Sequence, residues 1–141
     1  MIEALEVTKQ KLILVVEDQP TDRFLFEDRL RTGYEVESSA DSQTALHRLA
    51  SPGVDLVLLD LQLPFQNGGE DTKAEGYRII EELRSRKLAG EKVPGVIVVS
   101  NYITPLDTAK LHDLGVEHVL AKPVPSLLMY QAVEAALQAA A

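Results

Sequence analysis

Five short apolar runs recur along the chain, each followed by a stretch with helical spacing. Lys11–Val16 carries Leu, Ile, Leu, Val, Val in succession. Tyr34–Ser38 alternates apolar and polar positions, the pattern of a strand with one face exposed. Val54–Asp60 and Val96–Ser100 are near-continuous apolar runs, the second entered through Pro94-Gly95. Val116–Leu120 is mixed, with Glu117 and His118 inside it. Central parallel strands read as unbroken apolar runs because helices cover both faces. The pattern therefore predicts that the first, third and fourth strands are central and the second and fifth are edges.

Helices are predicted between them. Pro20–Arg31 carries Phe24, Leu25, Phe26 and Leu30, and Gly33 stops it. Asp41 or Ser42 caps a helix to about Ala50, ended by Pro52-Gly53. Gly76–Lys87 carries Ile79, Ile80 and Leu83. Thr104-Pro105 reads as an N-cap followed by proline at the first helical position, and Gly115 closes that helix. Ser126 caps a last helix with Met129, Tyr130, Val133 and Leu137 on one stripe, and its Ala-rich end, Ala135–Ala141, frays.

This alternation predicts an α/β fold: a (βα)5 doubly wound three-layer sandwich on a parallel five-stranded sheet with right-handed crossovers. The edge assignment fits strand order 2-1-3-4-5, the flavodoxin-like order. No glycine-rich turn follows the first strand. Val16-Glu17-Asp18-Gln19-Pro20 offers no backbone cradle for a nucleotide phosphate.

Composition narrows the function classes. The 141 residues suit one domain with a single good core. Fourteen Lys and Arg stand against 22 Asp and Glu, a net charge of −8. That balance argues against direct nucleic-acid binding, which needs a basic patch to release phosphate counterions. There is no Cys, so disulfides and thiolate metal sites are excluded. No apolar stretch approaches the roughly 20 residues of a membrane span. Met1–Lys11 lacks the apolar segment of a signal peptide. A cytoplasmic protein is the expectation.

The chemistry gathers at one edge. Parallel strands end on the same side, and ligands bind outside their carboxyl ends. That edge collects Glu17 and Asp18, Asp60, Ser100 and Lys122. Each has a bland reading: Asp18 as a cap for the first helix, Ser100 before Asn101 as a turn residue, Lys122-Pro123 as a surface lysine. Asp60 resists such a reading, because the strand leading to it is apolar except for Asp55. Five bland readings would have to hold together at one edge. Clustered carboxylates are tolerated around a cation, and few hard oxygen ligands with room for water suit Mg²⁺. With a lysine and a hydroxyl opposite, the set has the parts of a phosphoryl-transfer site in which a carboxylate attacks.

With these residues the chain, from about Lys11 to Leu137, resembles the receiver domain of two-component response regulators. Glu17-Asp18 matches the family's metal-binding pair. Asp60, in Leu-Leu-Asp-Leu-Gln-Leu-Pro ending at Pro64, matches the phosphoacceptor. Ser100 matches the hydroxyl residue that senses the phosphoryl group. Lys122-Pro123 matches the phosphate-contacting lysine and a commonly cis peptide bond. Gln62 stands where the family contacts the metal through a backbone carbonyl. The resemblance implies transfer of phosphate to Asp60 from a histidine kinase or histidine phosphotransfer protein, with Mg²⁺. It implies no enzyme beyond self-phosphorylation and dephosphorylation. The implied output is a shift of the fourth strand, fourth helix and fifth strand, with a downstream protein or second copy binding the face of helix 4, strand 5 and helix 5. Residues 1–10 would be an N-terminal extension and 11–141 the receiver domain, as a stand-alone regulator, a phosphorelay shuttle or part of a hybrid kinase.

Three departures stand out. Val119 occupies the position where the family usually carries an aromatic that rotates on switching, with His118 just before it. Asn101 follows Ser100, where Ala or Gly is usual. About eight extra residues lie within an insertion of about 65–75. Gly68-Gly69 makes that loop flexible and Glu70 and Asp71 make it acidic. A tolerated surface insertion is expected; a cover over the site or a partner contact is the functional alternative. Two other activities fit the residues less well. A degenerate receiver that binds partners without phosphorylation is opposed by the intact Asp60, Asp18 and Lys122. An Asp-nucleophile phosphatase wants a second Asp two residues on, where Gln62 stands.

Overall fold

The structure is a computed structural model, and it describes residues 10–139. The N-terminal extension, Gln10 excepted, lies outside the described residues, as do Ala140 and Ala141 of the expected fraying end. Strands β1 (Leu12–Val16), β2 (Glu35–Ser39), β3 (Leu56–Leu59), β4 (Gly95–Ser100) and β5 (His118–Ala121) alternate with five helices. These are α1 (Pro20–Leu30), α2 (Ser42–Leu49), α3 (Lys73–Leu88), α4 (Pro105–Asp113) and α5 (Ser126–Ala139). All strand pairs are parallel, in the order β2-β1-β3-β4-β5. The expected fold class holds.

Side chains alternate across each strand, so one sheet feeds two cores. Leu14, Val16, Val57, Leu59 and Val98 pack with α2, α3 and α4 through Ala45, Leu49, Ile80, Leu83 and Leu111. Ile13, Val15, Leu56, Leu58, Ile97 and Val99 pack with α1 and α5 through Phe26, Leu30, Met129 and Val133. Each buried aliphatic side chain of this kind contributes about 1.5–3 kcal/mol of transfer free energy. The resulting scaffold is rigid, and the strand ends inherit that rigidity.

Several boundaries shift for identifiable reasons. The expected third strand, from Val54, begins only at Leu56. Asp55 marks the difference: its backbone pairs with Leu12 O and Gly95 N–H, but its carboxylate, in place of a backbone carbonyl, accepts the Leu12 N–H at 2.8 Å. The fifth strand starts at His118 rather than Val116, and Val116 is buried in the core beneath α3 and α4. Helix α3 begins at Lys73, one turn before the expected Gly76, so part of the insertion is helical. Ser126 is the first residue of α5 rather than its cap. Phe24 and Leu25 are exposed, and only Phe26 and Leu30 of the expected α1 stripe are buried. On α5 the buried stripe is Met129, Ala132, Val133 and Ala136, with Tyr130 and Leu137 at its margin. Asp41 and Thr104 cap α2 and α4 as expected, accepting the N–H groups of Thr44 and Asp107.

Candidate functional site

Register decides which residues meet. Val16 pairs with Leu59, and Asp60 N–H donates to Val16 O at 3.0 Å, so Glu17 and Asp60 leave the sheet side by side. Ser100 pairs with Ala121, and Lys122 N–H donates to Ser100 O at 3.1 Å. The Lys122-Pro123 bond is cis. The expected edge cluster of Glu17, Asp18, Asp60, Ser100 and Lys122 is therefore brought together in one place.

Asp60 is buried and both its oxygens are engaged. Oδ1 accepts from Ser100 Oγ at 3.1 Å and from Gln62 N–H at 3.1 Å. Oδ2 accepts from Lys122 Nζ at 3.1 Å. Lys122 Nζ also donates to Glu17 Oε1 at 2.5 Å and to Asp22 Oδ2 at 3.0 Å. Gln19 N–H donates to Glu17 Oε2 at 3.2 Å, and Arg23 donates to the carbonyls of Glu17 and Asp18. These bonds hold the turn between β1 and α1 against the strand ends. Asp18 does not cap α1, whose cap residue is Gln19 without a side-chain bond.

Negative charge exceeds positive here. Glu17 is almost fully buried, and burial together with the charge of Asp60 pushes its carboxyl up to about 8 in spite of Lys122. Burial, and then the neighbouring carboxyl of Asp71, push Asp18 up to about 6. Burial alone would lower Lys122, but the Glu17 hydrogen bond and the charges of Asp60 and Glu17 hold its ammonium above the usual range. The donor set fits a hard divalent cation on two counts. Glu17, Asp18 and Asp60 each offer an oxygen, all within 4.8 Å of one another. Asp18 Oδ1 is buried with no hydrogen-bond partner among the described residues, and a buried carboxylate oxygen needs a proton or a cation.

A cleft of about 310 Å³ opens on this set, lined by Asp18, Asp22, Asp60, Gln62, Asn101 and Lys122 and by Asp71 of the insertion. Asp22 and Asp71 were not singled out from the sequence as site residues. Asp22 lies on the first turn of α1, where a helix N-terminus faces the strand ends, which was a readable signal. Asp71 carried no such signal beyond the acidity of its loop. Val119 is partly buried against the core that holds Val98 and Leu111, as is Ile103. No aromatic ring occupies that position on β5.

A family model described as the response regulator receiver domain matches residues 13–134. The regulator of RpoS from Escherichia coli is 35% identical over 118 residues, 83% of this chain and 32% of that protein. The sensor histidine kinase RcsC from Salmonella typhimurium is 31% identical over 114 residues, 80% of this chain and 11% of that protein. The chain thus spans a third or less of these curated relatives. Among solved structures, a CheY-like receiver domain protein from Methanospirillum hungatei superposes with a TM-score of 0.77 at 23% identity, covering 94% of this chain and 97% of that one.

Proposed function

This chain belongs to the response regulator receiver domain family, and we propose that Asp60 accepts a phosphoryl group from the phosphohistidine of a histidine kinase or histidine phosphotransfer protein. One observation carries the reading: a single buried carboxylate has a lysine on one oxygen, a serine hydroxyl on the other, and two further carboxylates beside it. In the transfer, a bond forms between an Asp60 oxygen and phosphorus while the bond from the donor's imidazole nitrogen to phosphorus breaks.

The surrounding residues divide the work. Glu17, Asp18, Asp60 and the backbone carbonyl of Gln62 would hold Mg²⁺, which supplies charge neutralisation at the phosphoryl oxygens. Lys122 reaches Asp60 Oδ2 and is held above the usual lysine range, so it stays cationic while charge develops on the incoming group. Ser100 donates to Asp60 now, and its hydroxyl can turn to a phosphoryl oxygen once Asp60 carries the acyl phosphate. Asn101 lines the cleft mouth and restricts the approach of donor and water. The chain catalyses only its own phosphorylation and dephosphorylation.

The output proposed is a population shift of β4, α4 and β5, read by a downstream protein or a second copy of the chain. Tyr102 and Leu106 near the start of α4, and Leu127 and Leu128 on α5, are exposed and available on those elements. With Val119 in place of a ring, the displacement of Ser100 carries the signal into the segment that begins α4. Among the described residues no helix is long and apolar enough to cross a membrane, in keeping with a cytoplasmic setting.

The test is adduct formation with acetyl phosphate, or with beryllofluoride, in the presence of Mg²⁺. Mass spectrometry and fluorine NMR are expected to find the adduct on Asp60. An unmodified wild type, or an equal adduct in Asp60→Ala, would overturn the proposal.

A further inference from the structure

Hydrogen bonds set the path of the insertion after β3. Its outgoing limb is held on the N-terminus of α2: Ser42 N–H donates to Pro64 O and Gln43 N–H to Phe65 O, each at 3.0 Å. Asn67 N–H reaches Asp41 Oδ2 at 2.8 Å. At the tip, Gly69 N–H closes a turn on Gln66 O at 2.9 Å, and Gly68 takes a φ of 88°, which favours glycine. The return limb then pairs with the start of the loop. Leu63 and Thr72 exchange both backbone hydrogen bonds, at 3.2 and 2.9 Å, in an isolated antiparallel bridge.

This bridge delivers the residue before Thr72 to the segment that follows Asp60. That residue is Asp71. It lines the same cleft as Asp18, Asp60, Gln62 and Lys122, and its carboxyl lies against that of Asp18. Among the described residues neither Asp18 nor Asp71 forms a side-chain ion pair. Lys122 is committed to Glu17, Asp22 and Asp60. Asp18 Oδ1 is buried and unpartnered. The loop brings a fourth carboxylate to the rim of a site where Glu17, Asp18 and Asp60 already present oxygens within 4.8 Å of one another, and like charges at close range repel unless a proton or a cation joins them. Asp71 is itself exposed, so it meets the cleft from the solvent side.

We propose that Asp71 is a further carboxylate of the divalent-cation site, contributed by the insertion, and that the bound ion fastens the loop beside the phosphoacceptor. The proposal rests on the reading of Glu17, Asp18 and Asp60 as a cation site. Asp71 acts on the ion directly or through a bound water; hard oxygen donors serve in both ways. Two consequences follow. Cation affinity exceeds what the other three carboxylates provide, and the order of Gly68–Thr72 depends on the cation.

The experiment is a Mg²⁺ titration of the full chain, labelled for amide NMR, with Asp71→Asn, Glu70→Gln and Asp18→Asn as comparisons. In the wild type, saturable shifts are expected at Glu17 and Asp18 and also at Gly68, Gly69 and Thr72. Asp71→Asn should bind Mg²⁺ about tenfold more weakly, the lower bound for losing an outer-shell partner, and its loop amides should no longer respond. Glu70→Gln, which removes a charge one residue away, should bind like the wild type. An unchanged affinity in Asp71→Asn, or an equal loss in Glu70→Gln, overturns the role of Asp71. If wild-type binding is lost in Asp18→Asn but kept in Asp71→Asn, only this proposal fails. If the wild type shows no saturable Mg²⁺ binding, the cation-site reading falls and takes this proposal with it. Undisturbed amide dispersion in each variant excludes misfolding as the cause.

Discussion

Ser100 Oγ donates to Asp60 Oδ1 at 3.1 Å, and Ser100 is fully buried at the last position of β4. The hydroxyl is therefore the direct link between the proposed phosphoacceptor and the chain that leads into α4. Phosphorylation of Asp60 would move negative charge outward onto the phosphoryl oxygens, and the hydroxyl would follow it. Ser100→Ala should still form the beryllofluoride adduct, because Lys122 and the acidic cluster remain. Its amide shifts over Asn101–Thr104 on adduct formation should shrink well below those of the wild type. Shifts of wild-type size would show that the signal leaves Asp60 by another route.

Lys122 bears a different load. Its ammonium and the Glu17 carboxyl are both almost wholly buried, and Asp60 shares the same cation. Removing one partner of such a pair leaves uncompensated charge, which costs about 3 kcal/mol. Lys122→Ala should lose about that much stability in urea denaturation without divalent cations, and Mg²⁺ should return part of it by mass action. Its phosphorylation by acetyl phosphate should slow by roughly 100-fold, the scale for losing one preorganised donor. Wild-type kinetics would remove Lys122 from the chemistry.

The difference between Lys122 and Asp71 marks what could be read from the chain alone. Unbroken apolar runs identify strands covered on both faces, so the strand order and the shared edge were legible, and with them Glu17, Asp60, Ser100 and Lys122. Local departures were not, because each depends on a distant partner. The Asp55 carboxylate takes the Leu12 N–H in place of a backbone carbonyl, and nothing local announces that bond. Phe24 and Leu25 look like core residues by type, yet the sheet can bury only the face of α1 that carries Phe26 and Leu30. Asp71 depends on the bridge between Leu63 and Thr72, a pairing of two isolated residues with no strand period to reveal it.

Gly76 anchors α3 to the segment just after Asp60. Its N–H donates to Leu61 O at 3.1 Å, and a Cβ at this position would lie 2.3 Å from that oxygen and 2.5 Å from Leu61 Cα. Backbone atoms cannot yield as the tip of a side chain can. Gly76→Ala should destabilise the chain by about 3 kcal/mol, the upper range for overpacking a core contact. Because relief displaces Leu61 and Gln62, phosphorylation of Asp60 should slow as well. Urea denaturation and adduct kinetics on the same sample check both, and a neutral substitution would show that α3 can shift without disturbing the site.

Asp107 fastens the start of α4 to α3. Its Oδ1 accepts from Tyr77 OH at 2.7 Å, and its Oδ2 from Lys73 Nζ at 2.6 Å and from Thr104 N–H and Oγ1, each at 3.0 Å. Burial alone would raise its carboxyl, but these donors outweigh it and hold the group well below the usual carboxylate range. A depressed folded value stabilises the fold above the unfolded value, about 3.9, and that contribution is lost as pH falls further. Asp107→Asn keeps the volume but loses the charge and leaves the Tyr77 hydroxyl poorly paired. It should cost about 2 kcal/mol at pH 7, with the gap to the wild type narrowing as the pH drops below about 4. Urea denaturation at neutral and acid pH measures the gap. An equal loss at both would assign the effect to packing, whereas a loss confined to neutral pH assigns it to the ionised carboxylate that ties α4 to α3.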